Sequence, residues 1–199
     1  MELNLTIVDN FWDWFSRNAQ DFGDHFDNTV LIMQLDKWIR QLGTYTWEIG
    51  PGMIEKNALV ISPGGNPELL SKTREIIMHA PRCTDWEYYY AKPPKQWELI
   101  FQFKTTDGVQ IKVDASDWKY VLLKYEDELF EIIIKAPEIR KLAEIDRLTA
   151  AEIALDGILG EEMRMNKICE IDVVEEFDQL HQNKTTGMTS LSDHLKSII

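Results

Sequence analysis

The stretch Ile61-Ser62-Pro63-Gly64-Gly65-Asn66-Pro67-Glu68-Leu69-Leu70 has the outline of a phosphate cradle: an apolar run, two glycines and a helix-like start. A cradle needs consecutive backbone N–H groups at a helix N-terminus, usually with a lysine and a following hydroxyl. Pro63 and Pro67 have no N–H to donate, the next lysine is Lys72, and Glu68 puts a negative charge where a phosphate would sit. The same residues suit a strand-to-helix corner. The glycines make the turn, Asn66 caps the helix, Pro67 fits its first position and Glu68 complements its dipole. The corner is favoured over an anion site, and a ligand held near Glu68 would be neutral or cationic.

Two other constellations could carry chemistry. In a strand, Tyr88 and Tyr90 share one face, and with Lys92 at the strand end and Ser62 and Asn66 in the loop they could line a ligand pocket. Tyrosines are also ordinary residues of a half-buried sheet face. The second constellation is the carboxylate series Glu144, Glu152, Asp156, Glu161 and Glu162. Glu152 and Asp156 are four apart on one helix face, which suits a cation or a raised carboxylate pKa. No histidine stands at helical spacing to complete a metal set, so a solvated acidic face is favoured, with Glu152, Asp156, Glu161 and Glu162 open to a partner. His25, His79, His181 and His194 are isolated, and neither H-E-x-x-H nor G-x-S-x-G occurs. No catalytic residue, metal or cofactor is assigned. A triad built from distant residues stays open, and so does the question of enzymatic activity.

Charge points the same way. The 199 residues carry a formal charge of -13. Residues 1–60 hold 9 acids against 4 bases, residues 61–136 hold 12 against 10, and residues 137–199 hold 13 against 7. Such a surface repels nucleic acid and anionic lipid and favours a basic protein partner, although acidity also serves solubility. The N-terminus lacks a basic start and an uninterrupted apolar run, and no segment reaches the roughly 20 apolar residues of a membrane span. Cys83 and Cys169 are expected to be free buried thiols of a cytoplasmic protein. Seven tryptophans imply an aromatic core.

The elements that must position these residues follow from periodicity. Asp9 or Asn10 caps a first helix through about Phe22, and a second runs from about Thr29 to Leu42, stopped by Gly43. Strands are expected over 44–49, 57–62 and 86–91, and a helix from Pro67 to Ala80 makes a βαβ unit of residues 57–91. Asp107-Gly108 marks a hairpin between Glu98–Lys104 and Val109–Asp114, and a second hairpin joins 118–125 to 129–136. A long helix over about 138–159 buries Leu142, Ile145, Leu148, Ala151, Leu155 and Ile158, and a last strand spans 168–174. The whole reads as an α+β domain over residues 1–180, with one mixed, mostly antiparallel sheet of six or seven strands and helices packed on it. Residues 181–190 read as a polar linker, followed by a short peripheral helix to 199.

With these elements placed, the stretch ALVISPGGNPELLSKTREIIMHAPRCTDWEYYYAKPP resembles a region of a bacterial family of α+β proteins to which no reaction is assigned. The shared pattern is an apolar strand, a Ser-Pro-Gly-Gly-Asn turn, a helix ending at Ala-Pro, Asp-Trp, and a strand ending at Lys-Pro-Pro. FWDWF and AEIALDGILGEE look like outer parts of the same group, so the likeness spans residues 10–175 loosely. It implies a shared fold and a bacterial cytoplasmic setting, and no reaction. The expected function is a non-enzymatic, acidic protein-binding domain, such as an immunity or antagonist protein for a basic toxin. The alternatives are a small-molecule-binding protein or enzyme with a pocket near the 62–66 loop, and a homo-oligomeric structural subunit.

Overall fold

The computed structural model describes residues 3–23 and 25–199, which form six α-helices and nine strands. The chain divides into two compact units, Met1–Lys92 and Pro93–Ile199. The fold is α+β, with mostly antiparallel sheets and helices against them, as expected. In place of one sheet over residues 1–180, however, the strands form separate sheets of three, two and four strands.

In the first unit, α1 (Leu5–Asn18) starts earlier than expected because the Asn4 side chain accepts from the Ile7 N–H and supplies the cap. Its apolar positions Val8, Phe11, Trp12 and Phe15 fall on one face, and a 3-10 turn over Ala19–Phe22 carries the chain on. Helix α2 (Thr29–Leu42) lies where its periodicity puts it, capped by Asn28 and stopped at Gly43. Strand β1 (Thr46–Pro51) runs antiparallel to the central β2 (Asn57–Ser62), and β3 (Trp86–Tyr89) runs parallel to β2 on the other side. Helix α3 (Leu70–Met78), entered through a 3-10 turn at Pro67–Leu69, crosses between β2 and β3 as the expected βαβ unit.

Leu59 and Ile61 of β2 join the helices in an aromatic core with Phe11, Trp12, Phe15, Phe22 and Trp86. Each such side chain contributes about 1.5–3 kcal/mol by leaving water. The indoles place their N–H groups as they are buried: Trp12 Nε1 donates to the Ile76 carbonyl at 2.8 Å and Trp86 Nε1 to that of Ala19 at 3.1 Å.

In the second unit, β4 (Ile100–Lys104) and β5 (Gln110–Asp114) form the Asp-Gly hairpin as a sheet of their own. Leu99, Phe101, Phe103 and Val113 bury their side chains in that unit's core. A four-stranded sheet follows, in the order β8-β7-β6-β9. Its members are β6 (Lys119–Lys124), β7 (Phe130–Lys135), β8 (Ile168–Val174) and β9 (Thr186–Gly187). β6 and β7 are antiparallel, whereas β7 and β8 are parallel and joined through α4 (Glu144–Leu159) and α5 (Glu161–Lys167).

Helix α4 differs from expectation in start and face. Pro137–Ile139 is a separate 3-10 turn, and Ile145 is exposed while Asp146 is buried. The rotation has a cause: Asp146 accepts the Thr106 backbone N–H at 2.9 Å and its hydroxyl at 3.1 Å, latching the β4–β5 turn. Gly157 then lets the Trp97 ring lie against the helix backbone, where a Cβ would overlap it. The tail is likewise part of the unit instead of a polar linker and peripheral helix. β9 pairs with β6, and Met188, with Leu191 and Leu195 of α6 (Leu191–Ile198), is fully buried in the core. The spacing Met188, Leu191, Leu195 puts three apolar groups on one side of that segment. Among the described residues, no helix is long and apolar enough to cross a membrane.

Candidate acidic interaction surface

The loop after β2 is built as a corner. Gly64 and Gly65 have φ of 63° and 80°, a left-handed pair that glycine adopts without strain. Ser62 is fully buried and its Oγ accepts from the Gly64 N–H at 2.9 Å and the Thr46 hydroxyl at 3.1 Å. Asn66 Oδ1 accepts from the Glu68 N–H at 3.0 Å, capping the turn that leads into α3. Both side chains are thus engaged in closing the loop.

Tyr88 and Tyr90 make separate contacts. Tyr88 packs edge-on against Trp12, with ring centroids 4.9 Å apart, and its hydroxyl is buried. Burial, with the Cys83 thiol as a lesser cause, drives its pKa far above the usual phenol value. Tyr90 instead receives Arg74 of α3, whose guanidinium lies 4.7 Å from the ring centroid and within 3.3 Å of the hydroxyl. Lys92 Nζ lies 3.9 Å from Glu48 on β1. Concavities of this unit lie along α2: one of about 370 Å³ between Trp14 and Trp38, another of about 480 Å³ beside Asp36, Tyr45 and Trp47.

The carboxylates at the α4–α5 junction are only partly a surface. Glu161 is fully buried and Asp156 is 8% exposed. Arg164, itself buried, donates from Nε to Asp156 Oδ1 at 2.5 Å and lies 3.5 Å from Glu152 Oε1. An unpaired buried carboxylate costs several kcal/mol, and this guanidinium offsets that cost. Only Glu152 and Glu162 of the expected partner surface remain accessible to solvent. Arg164 carries no signal at helical spacing, because Gly160 (φ 80°) separates α4 from α5 and interrupts the period between it and Asp156.

A better-exposed acidic face lies on β7 and β8. Side-chain alternation places Phe130, Ile132 and Ile134 of β7 in the core and turns Glu131, Ile133 and Lys135 to the opposite face. Register then brings Glu170 beside Glu131 and Asp172 beside Ile133 on that outer face. Glu170 and Asp172 are exposed, and among the described residues no cation pairs with either. Two glutamates as cross-strand neighbours repel each other. The Tyr125 hydroxyl donates to Glu131 Oε2 at 2.5 Å, and that bond is the main reason the phenol pKa is pushed up to about 12; desolvation and the charges of Glu131 and Glu170 add to it.

The register shifts by one residue at Phe130/Glu131, which leaves Cys169 as the extra residue of β8. Its thiol donates to the Phe130 carbonyl at 3.3 Å; both cysteines are free, and Cys169 is exposed where a buried thiol was expected. Residues 169–178 hold five carboxylates and no base. Further along, Glu175 pairs with Arg140 at 3.1 Å and Glu176 with Lys135 at 2.6 Å. Among the described residues, no cluster of histidine, cysteine and carboxylate side chains is arranged to hold a metal ion. The chain matches no model of a known protein family, no curated protein and no solved structure.

Proposed function

We propose that the protein is a non-enzymatic binding domain that presents an acidic face to a basic protein partner, as an immunity or antagonist protein does to a basic toxin. The observation that carries this reading is the Glu131–Glu170 pair with Asp172 beside it: carboxylates on one side of the sheet, Glu170 and Asp172 exposed and Glu131 half-buried, two of them neighbours across the ladder, with no cation paired to any of the three among the described residues. Repulsion of this kind is a standing cost in the free protein that a cationic partner relieves. Electrostatic attraction from the -13 charge would also speed the encounter. The Pro93–Ile199 unit carries 21 acidic against 13 basic residues, so the attraction is strongest on the unit that holds the face. Kinship with the bacterial group that shares the Ser62–Asn66 turn and the Trp86–Pro94 segment belongs to the same reading and supplies the cellular setting.

The test is capture from the native host on immobilised protein, with the E170K/D172K variant beside it and identification by mass spectrometry. A basic protein should be recovered in stoichiometric amount at low salt, be lost from the variant, and be released at about 0.5 M salt, where screening shortens to a few ångströms. Absence of any stoichiometric partner at low salt overturns the proposal.

A further inference from the structure

β8 is the outermost strand of its sheet: it pairs with β7 alone, and seven residues of extended backbone, Ile168–Val174, form the edge. Val174 turns its carbonyl to the β7 side, where it accepts from the Ala136 N–H at 3.0 Å. N–H and C=O groups of successive strand residues point to alternate sides, so those of Ile171 and Val173 point away from the sheet. No backbone group pairs with them among the described residues. An edge of this kind is a ready-made template for one more strand.

From this edge and the charge beside it we infer that the partner engages through an extended, lysine- or arginine-rich segment that adds to β8 as a fifth strand. This rests on the acidic-partner reading above and specifies its mode. Charge decides the occupant. A second copy of β8 would set Glu170 and Asp172 against their own counterparts, so edge pairing between copies is opposed. An added strand with a cation at every second residue places those cations on the outer face, next to Glu170 and Asp172, while its intervening residues continue the side of Ile171 and Val173. The core supports the edge from behind: Ile171 and Val173 pack on the cluster that includes Ile132 and Ile134. The backbone is therefore held extended before the partner arrives, which lowers the ordering cost of docking. The opposite edge of the sheet, β9, is only two residues long and offers no comparable template.

The experiment uses the full chain and three nine-residue peptides: one alternating lysine and threonine, the same sequence methylated at every second backbone nitrogen on the pairing side, and one alternating glutamate and threonine. Affinity is measured by calorimetry at low salt, and hydrogen exchange of the Ile171 and Val173 amides by NMR. Expected are binding of the lysine peptide, slowing of exchange at both amides by at least about tenfold, and a loss of at least about tenfold in affinity on backbone methylation, since every tenfold is 1.4 kcal/mol. The glutamate peptide should not bind to the native protein. If the methylated peptide binds as well as its parent and exchange at Ile171 and Val173 is unchanged, strand addition is wrong while the acidic face stands. If neither lysine peptide binds, both fall.

Discussion

Arg164 and Asp156 form a buried ion pair, with Nε 2.5 Å from Oδ1, at the corner where α4 turns into α5. Glu152 completes the arrangement from the next turn of α4, at 3.5 Å. The pair fixes the corner through which the chain passes from the core helix to the edge strand β8.

Removing the guanidinium takes from the buried Asp156 the ion-pair partner that lies 2.5 Å from its Oδ1. Arg164→Met should lower stability by about 3–5 kcal/mol, the usual cost of breaking a buried pair from one side. The double variant R164M/D156L should recover part of that loss, because an apolar replacement takes both charges of the pair out of the interior. Urea unfolding of the single and double variants measures it. A loss below about 1 kcal/mol in the single variant would show that the pair is solvated.

Trp97 lies on the backbone of α4 at Gly157, with no room for a methyl group. Gly157→Ala should destabilise by about 1–3 kcal/mol through overpacking, although alanine is the better helix former by about 1 kcal/mol. If W97L is already present, the same change should become neutral or stabilising. Thermal denaturation of the four proteins of this cycle tests the contact. Equal effects of Gly157→Ala in both backgrounds would refute it.

Glu87 links β3 to the loop between β1 and β2. Its carboxylate accepts from the Met53, Ile54 and Glu55 backbone N–H groups. Burial works against its ionisation, but these bonds and one from Tyr89 outweigh it and hold its pKa below the ordinary 4.5. A lowered pKa gives stability that is present above the unfolded value and lost as pH falls through the folded one. Exchange of the three loop amides, corrected for its intrinsic pH dependence, should therefore accelerate below about pH 4.5. In E87Q that acceleration should be absent, with faster exchange already at neutral pH. A pH-independent protection in the native protein would contradict the assignment.

Much of this fold is legible in the sequence, and the exceptions share a cause. The span of α2, the βαβ unit around α3, the Asp107-Gly108 hairpin and the limits of β8 follow from local signals: period, caps and turn residues. What escaped depends on contacts distant in sequence. Asp146 is buried because Thr106 waits for it, and Ile145 is exposed as a result. Met188, Leu191 and Leu195 fill a core whose remainder lies tens of residues upstream, so the preceding polar run reads as a linker. The acidic face was hidden for the same reason. Glu131 and Glu170 are 39 positions apart and become neighbours only through the parallel pairing of β7 with β8, whereas the carboxylates of α4 and α5 attract notice by closeness in sequence. A search for alternating carboxylates in strands bounded by apolar residues would have found Glu170 and Asp172.

Tyr125 reports on the acidic face without a ligand. Its pKa of about 12 is owed first to the bond it gives Glu131. In E131Q the phenol should titrate close to the ordinary value of about 10, followed by NMR of the ring carbon that bears the oxygen. The cationic peptide should act in the same direction, because it compensates the negative charge that opposes ionisation. No change in E131Q would detach Tyr125 from the face.

The most direct measurement is a titration of the labelled protein with the alternating lysine and threonine peptide at low salt, followed residue by residue through backbone amide shifts. Expected are saturable shifts concentrated on residues 168–174, with Tyr125 and Glu131 included and the α4–α5 corner silent, and their disappearance in E170K/D172K. Shifts centred on Glu152 and Glu162, or a response unchanged by E170K/D172K, would contradict binding at β8.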